Sequence, residues 1–181
     1  SFWLVDPIDG TGHFIRGIRH CSTMVSLIQE GLVTFSIIYD FCNDELYHAI
    51  KGGGAYKNGQ PISVSDRQES EAILGWEVQQ KDSAGKSLFE YLQSKFGYYN
   101  TLCAGMPLAL TAEGKIDGVI FYNPFGNDYD FAAGSLLISE AGGVVENFND
   151  SSYSYKNRNF LACNKQIGLS LKKQIEQIIN S

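Results

Sequence analysis

The chain has 181 residues, of which 44% are hydrophobic and 19% charged, and its formal net charge is −6. Such a composition is globular and excludes a largely disordered chain, and the length suits one domain with two lobes. With 20 acidic against 14 basic residues, a nucleic-acid polymer is not an expected partner, because a phosphate backbone needs clustered Lys and Arg.

Phe2 to Val5 is a short apolar run bounded by Asp6-Pro7, which predicts a strand ending at a turn. A strand beginning at the first residues leads us to expect further protein before Ser1. Cys21 to Ile28 and Val33 to Tyr39 are β-branched and apolar around Glu30-Gly31, the pattern of a hairpin. Glu45 to Ile50 predicts another strand, closed by Gly52-Gly53-Gly54, and Asn58-Gly59 predicts a tight turn. Residues 1–66 therefore read as a mostly antiparallel sheet lobe.

Residues 67–181 read as a mixed lobe in which strands alternate with helices. Ile73 to Val78 is strand-like, and Ser83 to Phe96 carries Leu88, Leu92 and Phe96 at helical spacing. Met106 to Glu113 predicts a helix with Pro107 in its first turn. Val119 to Tyr122 predicts a strand, and Asp128 to Ala141 a helix stopped by Gly142-Gly143. Short strands follow at Val144-Val145 and Phe160 to Cys163, then an amphipathic helix from Ile167 to Ile179. No apolar run approaches the ~18 residues of a membrane span, so no membrane is expected. The scattered cysteines, Cys21, Cys42, Cys103 and Cys163, form no Cys-x-x-Cys pair and suit reduced thiols in the cytoplasm.

Two segments carry chemistry. In Asp6-Pro7-Ile8-Asp9-Gly10-Thr11, two carboxylates lie three residues apart at a strand end. Pro7 restricts the backbone and Gly10 permits a sharp turn, so both carboxylates and the Ile8 carbonyl can converge. Such hard oxygen ligands suit Mg²⁺ or Mn²⁺ rather than zinc. A helix starting after Gly10 would offer free N–H groups to a phosphate, and the Thr11 hydroxyl could orient water. In Asn127-Asp128-Tyr129-Asp130, a carboxylate stands near a helix start, where the local dipole favours it. Taken singly, the first segment is equally a plain turn and the second an ordinary N-cap. His13 lies close to the first segment and reads as a loop residue near the mouth of a site.

Taken together and in order, Trp3 to Thr11, Lys51 to Gly59 and Asp130 to Gly134 followed by Glu140-Ala141-Gly142-Gly143 resemble the inositol monophosphatase family. These are magnesium-dependent, lithium-sensitive sugar and inositol phosphatases, and the likeness runs from Ser1 to about Cys163. The resemblance implies an α/β fold, a layered αβαβα sandwich of the sugar-phosphatase type, truncated here at its N-terminus. It implies Mg²⁺ held by Asp6, Asp9, Asp130 and the Ile8 carbonyl. Thr11 and Asp9 would serve catalysis, Gly10 and Thr11 would hold phosphate, and substrate hydroxyls would fall near Cys103 and Ala104. The partner would be a small-molecule phosphate ester, and dimers are common in the family, so a homodimer is expected.

The chain departs from the family pattern at several points. The family's acidic Gly-Glu-Glu segment lies upstream of the first motif, Tyr129 stands where Trp is usual, and Leu102-Cys103 replaces a Gly-Ser or Gly-Thr pair. No Glu that could grip a sugar hydroxyl occurs in Phe121 to Asn123. Inositol phosphate, fructose 1,6-bisphosphate and a nucleotide 3′-phosphate all remain candidate substrates. A non-catalytic metal-binding or assembly module is the rival of another class.

Overall fold

The computed structural model describes residues 1–100 and 102–181. Six strands form the first sheet in chain order: β1 (Phe2–Asp9), β2 (Ser22–Gln29), β3 (Leu32–Asp40), β4 (Glu45–Ile50), β5 (Gly54–Lys57) and β6 (Gln60–Pro61). Every neighbouring pair is antiparallel. Two tight turns are explained by their residues. Glu30-Gly31 and Asn58-Gly59 all have positive φ, between 48° and 79°, the geometry that matches the twist of paired strands.

β1 is longer than its sequence pattern suggests. It does not stop at Asp6-Pro7 but continues to Asp9, with a register shift against β2 between Asp6 and Asp9. Pro7 is tolerated because β1 is an edge strand, where a missing N–H costs little. A one-turn helix, α1 (Thr11–Ile15), follows, with Gly10 at φ 77° as its N-cap.

The second sheet uses β7 (Ile73–Val78), β8 (Gly97–Tyr99), β9 (Gly118–Tyr122), β10 (Val144–Asn147) and β11 (Phe160–Cys163), in the order β10-β11-β9-β7-β8. β7 is parallel to both β8 and β9, and the remaining pairs are antiparallel. The three-residue β8 carries too little pattern to be seen in the sequence. The longer helices are α2 (Ser83–Lys95), α3 (Gly105–Ala112), α4 (Asp128–Glu140) and α5 (Lys165–Ile179).

Their burial dictates the layering. All of α3 except Leu110 is buried, and so is every residue of α4 from Phe131 to Ile138. Helices apolar all round must lie between two layers. Met24, Ile38, Tyr47 and Ala49 of the first sheet meet Leu108, Phe131 and Leu137, which meet Val119, Phe121 and Phe160 of the second. On the far side of the second sheet, Leu88 and Leu92 of α2 and Ile167, Leu171 and Ile175 of α5 close another core with Leu74 and Leu161. The order is thus sheet, helices, sheet, helices. Among the described residues no helix covers the outer face of the first sheet, where Trp3, Val5 and Ile50 stay exposed. No helix is long and apolar enough to cross a membrane among them either.

The motif residue Glu140 is a structural clasp. Its carboxylate accepts the N–H groups of Gly52 (2.8 Å) and Gly54 (2.9 Å), tying α4 to the turn after β4. Asp117 is buried and satisfied by Ser65 Oγ, Arg67 Nε and the Ile73 N–H. The two middle-layer helices approach closely at Gly134, where a Cβ would stand 2.4 Å from the Cβ of Leu108. Leu108 Cβ is fixed to its own helix and cannot swing away. Gly134→Val is therefore expected to destabilise the fold by about 1–3 kcal/mol through overpacking, read as a lowered urea midpoint at unchanged m-value.

Candidate metal centre and cavity

The chain folds so that Asp6, Asp9 and Asp130 each place a carboxylate oxygen within 4.8 Å of the other two. Two come from β1 and one from the first turn of α4, more than a hundred residues away in sequence. Each is held by hydrogen bonds. Asp6 Oδ1 accepts the Ile8 N–H at 3.0 Å. Asp130 closes a capping box, accepting the Asn127 N–H while Asn127 caps the Asp130 N–H.

Asp9 is the most tightly held and is only 5% exposed. Its Oδ1 accepts the Ala104 N–H at 3.0 Å, and its Oδ2 the Gly105 N–H at 2.8 Å. Ser22 Oγ donates to Oδ2 at 3.3 Å. The N–H groups at the start of α3 have no partner inside that helix, so a carboxylate from β1 serves as their cap. This approach requires glycine at 105, because a Cβ there would stand 2.4 Å from Ser22 Oγ and 2.9 Å from Asp9 Oδ2.

The remaining sequence candidates fall around this cluster. The Ile8 carbonyl accepts the Thr11 hydroxyl at 2.8 Å. Ile8, Gly10, Thr11, Cys103 and Ala104 all line the same cavity. The Ala104 N–H, however, is already committed to Asp9. Asp128, the other acid of the second segment, accepts its neighbour's N–H at Tyr129 and lies outside the cluster. His13 is not a loop residue at the mouth. It is buried in α1, where its Nδ1 pairs with the His20 carbonyl at 2.8 Å. Ser22 and Gly105 escaped sequence reading; a polar residue at an inward strand position was the one signal for Ser22.

Crowded carboxylates in a partly dry site resist ionisation. Burial pushes the Asp130 carboxyl up to about 7, aided by a hydrogen bond and charge repulsion from Asp6 and opposed by the Asn127 N–H. Burial also raises Asp9, against the pull of the Ala104 and Gly105 N–H groups. An all-oxygen donor set whose members repel one another is matched by a hard divalent cation, which supplies the missing positive charge. The residues therefore fit such an ion.

The cluster lines a cavity of about 600 Å³. Much of the remaining lining is aromatic. Trp76 and Tyr98 stack with ring centroids 3.9 Å apart, and Phe125, Tyr129 and Leu102 line the same cavity. Glu77 lines it too and accepts the Phe125 N–H.

The family model described as "Inositol monophosphatase family" matches residues 1–180. The chain belongs to the inositol monophosphatase family. It is 32% identical to an inositol-1-monophosphatase of Rhizobium meliloti over 185 aligned positions, which cover 99% of this chain and 69% of that protein. It is 28% identical to a fructose-1,6-bisphosphatase/inositol-1-monophosphatase of Thermotoga maritima, covering 98% of this chain and 68% of the other. The solved inositol monophosphatase of Anabaena superposes with a TM-score of 0.87 at 28% identity, over 97% of this chain and 73% of that one. The chain thus has the fold of this phosphatase family and spans about two thirds of the length of those relatives.

The raised Asp130 carboxyl has a consequence for stability. In the fold it keeps its proton up to about pH 7, whereas the unfolded chain releases it near the ordinary value of 3.8. The folded state thus binds more protons across that window, and this contribution to stability is lost as pH rises through 7. Without divalent metal, the melting temperature should fall by at least about 2 °C between about pH 5.5 and pH 8.5. Asp130→Asn should remove most of that fall, and at the alkaline end Mg²⁺ should stabilise the wild type but not the variant.

Proposed function

We propose that the protein hydrolyses a small phosphate monoester with divalent cations held by Asp6, Asp9, Asp130 and the Ile8 carbonyl. The carrying observation is the trio of carboxylates within 4.8 Å lining an open cavity. Mg²⁺ is the proposed ion, with Mn²⁺ as the alternative, because every donor is a hard oxygen. When bound, such ions lower the pKa of water and neutralise charge on attacking and leaving oxygens.

The protein residues supply positioning. Asp9 is clamped by two backbone N–H groups and the Ser22 hydroxyl, and its Oδ1, with one donor, keeps a lone pair to spare. Thr11 spends its hydroxyl proton on the Ile8 carbonyl, so its oxygen is left as an acceptor for a proton of the attacking water. The Ile8 carbonyl has a second lone pair that remains available. Gly10, in its left-handed conformation, turns the chain so that the first N–H groups of α1 lack helical partners. With the Thr11 hydroxyl they form the proposed phosphoryl cradle. Cys103 and Ala104 are proposed to border the leaving group, through side chain and surface, since the Ala104 N–H is engaged.

The family resemblance and the relatives' names favour inositol or sugar phosphates, and the Thermotoga relative's double name makes a sugar bisphosphate the second reading. A cytoplasmic location and a homodimer belong to the same proposal and rest on the family resemblance alone. The full-length protein should release phosphate from small monoesters only when Mg²⁺ or Mn²⁺ is supplied. Asp6→Asn and Asp9→Asn should each lower kcat/KM by more than about a hundredfold, beyond the loss from changing a residue that merely orients a ligand. Near wild-type rates in both variants would refute the metal-site reading, and no phosphate release from any ester would leave the non-catalytic module as the better one.

A further inference from the structure

The aromatic lining of the cavity bears on the leaving group. A cyclitol or sugar alcohol carries a hydroxyl on nearly every carbon, and each one buried without a partner is costly. Among the described residues, the tyrosine hydroxyls of this lining are already engaged. Tyr98 Oη shares its one proton between the Trp76 carbonyl at 3.4 Å and Asn100 Oδ1 at 3.3 Å, and Tyr99 Oη is paired with His20 Nε2 at 2.9 Å. Glu77 Oε1 is taken by the Phe125 N–H, so Oε2 is the acceptor left on that side chain among the described residues.

The same lining offers flat apolar surface. Tyr98, backed by Trp76 in a near-parallel stack (19° between planes), still exposes 46% of itself. Phe125 and Leu102 are 78% and 70% exposed although both line the cavity. Lys81 Nζ lies 5.5 Å from the Phe125 ring centre, a cation–π contact that holds that ring. Large apolar groups kept exposed around a concave site, with one free carboxylate oxygen among them, are complementary to a planar ring bearing a donor.

We propose that the leaving group of the natural substrate carries a flat, largely apolar ring, seated against Tyr98, Phe125 and Leu102 with a donor to Glu77, and is not a bare polyol. This rests on the hydrolase reading, which places the phosphoryl group at Asp6, Asp9 and Asp130. Ring chemistry of this kind has two sources, a nucleoside or a simple arylalkyl alcohol. Stacking recognises both, and the Glu77 contact favours a ring with an N–H or O–H group.

The test compares kcat/KM of the full-length, Mg²⁺-loaded protein on adenosine 5′-monophosphate, 2-phenylethyl phosphate, glycerol 1-phosphate and myo-inositol 1-phosphate. All four leave as alkoxides, and the neighbouring hydroxyls make the polyols the better leaving groups, so faster turnover of the ring esters reports recognition and not leaving-group chemistry. Both ring esters should exceed both polyol esters by at least about tenfold. Phe125→Ala should lower the ring esters several-fold more than the polyol esters. Glu77→Gln should affect the adenosine ester more than the phenylethyl ester, which has no donor. Equal or better turnover of myo-inositol 1-phosphate, or a uniform loss in Phe125→Ala, overturns the proposal while sparing the hydrolase reading. If no ester is turned over, that reading fails, and calorimetric titration with 2-phenylethylphosphonate against 2-hydroxyethylphosphonate decides the ring preference. Binding about tenfold tighter for the phenyl compound supports it, and equal binding overturns it.

Discussion

Everything at the centre of this molecule follows from forcing three like charges together. Carboxylates buried within 4.8 Å of one another resist ionisation, and burial first, then the neighbouring Asp6 and Asp9, lets Asp130 hold its proton up to about 7. The fold withstands this because each acid is tied to backbone N–H groups that have no other partner: those of Ile8, of the α3 start and of Asn127. A site strained in this way by its own charge is preorganised for cations, since binding relieves repulsion already present. Asp117 shows the opposite solution. It is as buried as Asp9, but an Arg, a Ser and a backbone N–H satisfy it completely, and it lies outside the cluster.

The middle helical layer makes the convergence a matter of packing. α3 brings its start to Asp9, and α4 brings Asp130 to the same point, because both helices are wedged between the sheets at close range. Gly105 and Gly134 permit that closeness, one beside the Asp9 carboxylate and the other against Leu108. Small residues in this chain thus serve the site indirectly, by setting the distance between the elements that carry it.

The cavity joins two unlike surfaces. One consists of carboxylates and the first N–H groups of a helix, and the other of a stacked Trp76–Tyr98 pair with exposed Phe125 and Leu102. The second is built from β7, β8 and the loops after β8 and before α4. In the proposed reading, reaction class and substrate choice are carried by different elements.

Much of this was legible in the residues. Alternating apolar positions, the Asn58-Gly59 turn and the helical spacing of Leu88 and Leu92 announced the strands and helices, because local periodicity depends on neighbours in the chain. Asp6, Asp9 and Asp130 stood out by motif. The sequence alone therefore determined most of the longer elements, the family and the candidate acids. It could not show that β1 runs through Pro7, because that depends on β1 being an edge strand. Nor could it show that Asp9 caps a helix ninety-odd residues away, or that Trp76, Tyr98 and Phe125 line one cavity. Those facts are distances between segments remote in sequence, and only the packing of two sheets around α3 and α4 sets them.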